Sequence, residues 1–139
     1  MSYGNIPAEL RECPQWVVWR YRRRHGKWTK VPFQAVHPRE EASATDAATW
    51  GTFQQALAAS VTADGIGFVF SPDDPYAGAD FDALTPETEQ AIRELDSYTE
   101  KSVSGRGAHA IVKATLKDGK GRRKGDFEIY SQSRYFAMT

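Results

Sequence analysis

The sequence predicts an α+β fold, a mainly antiparallel sheet with helices packed on one face. Three observations point there. Short stretches rich in aromatic and β-branched residues recur along the whole chain, roughly eight of them, punctuated by Gly, Pro and Asp. Only two longer segments keep a helical period. Strands and helices are also mixed rather than strictly alternating, which argues against a parallel, doubly wound sheet. With 139 residues, 40% hydrophobic and 26% charged, the chain has the make-up of one ordinary domain with a real core.

Each element has a local cause. Residues 6–11 read as a short helix, with Asn5 at the N-cap, Pro7 in the first turn and Pro14 as the stop. Residues 15–21 (QWVVWRY) form a strand, and a basic turn over 22–27 leads to a second strand, 28–33. Residues 37–45 are a polar loop. Thr45-Asp46 then caps a helix over 47–60, whose Trp50, Phe53 and Leu57 follow the helical period. Residues 66–70 and 76–82 are two strands joined by the turn 71–75. A helix over 87–95 starts with Pro86 and carries acids in its first turn, where the dipole favours them. A short strand, 98–102, precedes the flexible turn 104–107 and a strand over 108–114. A basic, Gly-punctuated turn (117–124) then leads to strands at 126–131 and 135–138. The chain stops inside that apolar strand, which points to a piece of a longer protein.

Composition narrows the functional classes. Formal net charge is zero, so no global field draws in nucleic acid and any such attraction is local. The single Cys13 excludes an internal disulfide framework and any cysteine-cluster zinc site, and fits a reducing cytoplasm. The N-terminus has no signal-peptide pattern, and no run reaches membrane-spanning length.

The stretch that organises the rest is 65–82, GIGFVFSPDDPYAGADFD. Side chains alternate along a strand, so Asp80 and Asp82 share one face with Gly78, while Ala79 and Phe81 point the other way. Two carboxylates roughly 6–7 Å apart at the Cα suit a grip on one or two hard cations. The same pair would equally serve as two solvated acids at an exposed strand end. Glu128 shares a face with Asp126 and Tyr130 in the strand DFEIY, an unexpected place for an acid. His109 follows the turn Ser104-Gly105-Arg106-Gly107, whose backbone N–H groups and guanidinium could meet a phosphate with the imidazole as a further donor. A lone strand histidine is also commonly a satisfied structural residue. The hairpin carrying Arg20, Arg22, Arg23, Arg24, Lys27 and Lys30 is either a solvated edge or a phosphate-tracking patch. Its tryptophans (Trp16, Trp19, Trp28) are expected in the core rather than as stacking platforms.

These parts have a shared chemical logic. Nucleotidyl transfer needs divalent cations on carboxylates and basic groups on a triphosphate. The order IPAELRECPQWVVWRY, GKWTKVPF, ASATDAATW, DGIGFVFSPDDPYAGADFD, SVSGRGAHAIVKA and GRRKGDFEIYSQSRYFAMT resembles the primase-polymerase (archaeo-eukaryotic primase) superfamily, in particular its phage and plasmid branch, over nearly the whole chain.

The resemblance implies an RRM-like palm (65–139) bearing a metal site, packed against a small N-terminal α/β unit (1–64). It implies that Asp80, Asp82 and Glu128 bind two Mg²⁺ or Mn²⁺ ions, with no zinc, and that His109 binds nucleotide phosphates. Ser104, Arg106, Lys124, Arg134 and Lys30 are expected around the nucleotide, and Arg22, Arg23, Arg24 and Lys27 along the template. The implied partners are template and primer DNA, dNTPs or NTPs, and a helicase or C-terminal domain beyond Thr139. The implied setting is replication of phage, plasmid or mobile-element DNA in a bacterial cytoplasm. A metal-dependent nuclease and a non-catalytic single-strand-binding module remain the alternatives.

Overall fold

The computed structural model describes residues 3–114, 116 and 121–139, without the side chains of Arg122 and Lys124. Two antiparallel sheets carry the fold, where the sequence suggested one. The first has the order β2-β1-β3-β9, built from Trp16–Arg24 (β1), Lys27–Gln34 (β2), Gly65–Val69 (β3) and Tyr135–Ala137 (β9). The second has the order β5-β6-β4-β8-β7, from Tyr76–Phe81 (β4), Tyr98–Lys101 (β5), Ala108–Lys113 (β6), Arg122–Lys124 (β7) and Phe127–Tyr130 (β8). Residues 66–70 and 76–82 therefore do not pair with each other. The turn between them carries the chain from one sheet to the other, held by Asp74, whose carboxylate accepts from Ser71 N–H, Tyr76 N–H and the Gln15 amide. Nor do the sheets divide at residue 64, because the first reclaims both β3 and β9.

The helices are short. Ala8–Arg11 (α1) is a single turn, and the long helix expected over 47–60 is broken. Asp46 caps only a 3-10 turn, Ala47–Thr49. The chain then extends through Trp50, and Thr52 opens a new helix, Phe53–Ala59 (α2), through a reciprocal capping box with Gln55. Gly51 bridges to Trp16 there, and a Cβ on it would lie 2.7 Å from Gln55 Oε1. Pro86–Leu95 (α3) starts as the sequence predicts, with Thr85 as its cap.

One apolar core joins the sheets. Trp16, Val18, Ile66 and Phe68 of the first sheet pack with Leu10 and Phe53 of the helices and with Tyr76, Ile111 and Tyr130 of the second. The other face of the second sheet, Ala79, Phe81 and Ala110, is covered by Ala91, Ile92 and Leu95 of α3. Between β4 and β5, α3 makes a split β-α-β unit with β6 inserted between its strands. That arrangement leaves one face of β4 for chemistry.

Candidate active site

Five side chains that carry charge or can titrate line up across the second sheet. In register, Glu100 on β5 lies opposite His109 on β6, which lies opposite Asp80 on β4. Asp80 in turn lies opposite Glu128 on β8, which lies opposite Arg123 on β7. Directly opposed residues in an antiparallel pair share a face, so all five look the same way, and Asp82 follows Asp80 on that face. Gly78 explains where the face opens. A Cβ there would sit 2.6 Å from Phe136 and 2.8 Å from Phe70, so the two sheets close at residue 78 and part at 80 and 82.

A cavity of about 270 Å³ fills the gap, lined by Asp80, His109, Lys30 and Ser104 among others. Four residues singled out in the sequence thus meet in one place. Asp80 is partly buried, and burial together with the neighbouring Asp82 pushes its carboxyl above the usual range. Asp82 is exposed and Glu128 partly buried, and the two share Arg123, which lies 2.5 Å from Asp82 and 3.3 Å from Glu128. Among the described residues, no three His, Cys, Asp or Glu side chains are gathered closely enough to hold a metal ion as they stand. The three acids suit a hard cation in donor type and in shared face. Their convergence requires Asp82 and Glu128 to turn from the guanidinium.

His109 is both buried and aimed at the cavity. Its ring stacks on Phe136, centroids 4.3 Å apart and nearly parallel, and its Nε2 lies 2.8 Å from Glu100 Oε1. Glu100 also accepts from Thr139 N–H at 2.8 Å and from the Tyr98 hydroxyl. Burial alone would raise the Glu100 carboxyl, but these donors outweigh it and hold it below the ordinary value. An ionised Glu100 fixes Nε2 as a donor, and the imidazole so held lines the cavity.

Other expectations fare differently. The 104–107 turn does not offer its backbone to a ligand as foreseen. The N–H of Gly105 goes to Ser102 O, that of Arg106 to the Ser104 hydroxyl and that of Gly107 to the Ser102 hydroxyl. Arg106 is exposed and does not line the cavity. Arg134 pairs with Glu128 at 3.8 Å and lies over the Tyr130 ring, outside the cavity wall. The Lys124 side chain lies outside the described residues. Arg22, Arg23, Arg24 and Lys27 are exposed near the hairpin tip. Trp16 and Trp19 are buried as expected, but Trp28 is 67% exposed.

Over 96% of its length the chain is 35% identical to the DNA primase-polymerase of Nitratiruptor phage NrS-1. The match supports a primase-polymerase family assignment for this chain. It spans 20% of that relative's length. No protein-family model matches the chain. Among the described residues, no helix is long and apolar enough to cross a membrane.

Glu100 and Phe136 are the residues the sequence reading missed. The cue for Glu100 was available, since an acid in mid-strand had singled out Glu128, and Glu100 sits the same way in YTEK. Phe136 had no cue, because its role depends on β9 returning beside β3.

Proposed function

We propose that this chain is the nucleotidyltransferase core of a primase-polymerase, adding nucleotides to a 3′-hydroxyl on a DNA template. The observation that carries this reading is Asp80, flanked in register by His109 and Glu128 beside a cavity that also holds Lys30 and Ser104. A cavity of that size accepts a polyphosphate and part of a sugar. Lys30 supplies a point charge, His109 a buried and oriented imidazole, and Ser104 a hydroxyl. Asp80, Asp82 and Glu128 are the residues to hold Mg²⁺ or Mn²⁺. When bound, such ions activate the attacking oxygen and steady the leaving pyrophosphate. Arg123 keeps Asp82 and Glu128 from repelling each other until then, and turns aside to the triphosphate when they are engaged. The split β-α-β order of the second sheet supports an RRM-like palm.

The test is extension of a labelled primer on a template with Mn²⁺ and dNTPs or NTPs, run with wild type and Asp80→Ala. Lengthening by wild type alone is expected. Absence of extension, with Asp80→Ala binding nucleotide as well as wild type, removes the basis of the proposal. Shortening of the same oligonucleotide would make the site a nuclease instead.

A further inference from the structure

The exposed Trp28 has a setting. In the β1–β2 hairpin it lies directly opposite Arg23, and two residues along, on the same face, Tyr21 lies opposite Lys30. The Arg23 guanidinium sits over the Trp28 ring at 5.7 Å, and the Lys30 ammonium is 5.8 Å from the Tyr21 ring. Trp28 and Tyr21 are 67% and 40% exposed, two of the four large hydrophobic residues exposed among those described. Lys30 is also part of the cavity wall beside Asp80 and His109, and the Tyr135 hydroxyl that lines the same cavity donates to Lys30 O. The hairpin face is therefore continuous with the site. The opposite face is spent on structure: Arg20 and Arg22 lie over Phe33, and Arg24 pairs with Glu41 at 2.6 Å.

We infer that this outward face is a track for single-stranded DNA running into the cavity. Bases stack on Trp28 and Tyr21, phosphates meet Arg23, and Lys30 marks where the track reaches the cavity. The two cross-strand pairs repeat every two residues, roughly 7 Å, a spacing that an extended single strand matches with one nucleotide per step. Aromatic platforms take any base, so the track reads no sequence, as copying an arbitrary template requires. With zero net charge on the chain, stacking carries a larger share of affinity here than in a basic protein. The inference rests on the polymerase reading for its destination, though not for the binding itself.

The experiment is fluorescence anisotropy of a labelled dT20 oligonucleotide with this chain at two salt concentrations, alongside tryptophan quenching. Trp28→Ala is expected to weaken binding about 5- to 100-fold and to abolish most of the quenching. Tyr21→Ala should weaken it less, and Arg23→Gln should lower the salt slope by about 0.7. Arg24→Gln, on the other face, should change little. Trp28 is exposed, so its loss leaves the fold intact, which an unchanged melting curve verifies. An affinity for dT20 unmoved by Trp28→Ala, or no binding by wild type, overturns the track and leaves the primer-extension test to decide the polymerase reading. Trp28-dependent binding without any extension keeps the track and removes the polymerase reading.

Discussion

Replacing Glu100 by leucine tests the buried end of the site. The side chains of His109 and Glu100 are 7% and 4% exposed, and three donors converge on the one carboxylate. Leucine has a similar size and accepts nothing. Tyr98 and Thr139 are only partly buried and can turn their donors to water, but His109 Nε2–H loses its partner. A buried donor left unsatisfied costs roughly 1–3 kcal/mol, the upper end applying where the lost acceptor was a carboxylate. A loss of about 3 kcal/mol is therefore expected. A chain of this length unfolds with an entropy near 0.3 kcal/mol per kelvin, so Tm should fall by about 10 °C. Glutamine keeps one acceptor for His109 and can donate its amide to the Tyr98 oxygen, so Glu100→Gln should cost only about 1 kcal/mol.

The pH dependence has a definite sign. The Glu100 carboxyl is held below its ordinary value in the fold, so its stabilisation is fully present above the unfolded-state pKa. It is lost as pH falls through the lower folded value. The gap between wild type and Glu100→Gln should be constant near neutrality and shrink in acid. Thermal melts from pH 7 downward measure both effects. A Glu100→Leu protein that melts within about 2 °C of wild type would refute the reasoning, as would a gap that ignores acid.

Other outcomes follow from the same site. Asp80 is held above the ordinary carboxylate value, so its ionised form penalises the fold at neutral pH and not below the unfolded pKa. Asp80→Asn should abolish extension yet raise Tm at pH 7, the gain fading in acid; a Tm below wild type at pH 7 contradicts this. Arg123→Ala removes the cation that Asp82 and Glu128 share, leaving Glu128 only Arg134 at 3.8 Å, so added Mn²⁺ should raise its Tm by more than it raises that of wild type. Equal shifts would mean that Arg123 does not compete with the cation. A Cβ on Gly107 would lie 2.0 Å from Phe81 O, so Gly107→Ala must push β4 from its neighbour and cost upwards of about 2 kcal/mol in urea unfolding. A near-neutral Gly107→Ala would show that the contact relaxes freely.

How far the fold was legible depended on how local its causes were. Alternation on β4 put Asp80 and Asp82 on one face, and the apolar partners Ala79 and Phe81 fixed which face that was, because α3 covers them. Turn chemistry found 71–75 but could not say whether the flanking strands pair, since Asp74 organises that turn equally well between sheets. The helix over 47–60 was over-read because Trp50 fits the period. Its break is set by a contact between Gly51 and Trp16, far apart in sequence. The turn 104–107 looked like a phosphate loop for its glycines and serines. Gly107 serves a close backbone approach, and Ser104 together with Ser102, just before the turn, closes it on itself. Trp28 escaped because burial of an aromatic is the commoner outcome, and only the position of the hairpin relative to the core decides it.

The route of the chain between the sheets has a practical corollary. It departs the first sheet after Val69 and comes back at Tyr135, and these two residues are register partners on adjacent antiparallel strands. The whole second sheet, with its acids and His109, is thus a loop-like insertion whose ends sit about 5 Å apart. Such a cassette could be lifted out and grafted between neighbouring strands of another scaffold. The graft would have to bring Phe136 with it, since the imidazole of His109 rests on that ring.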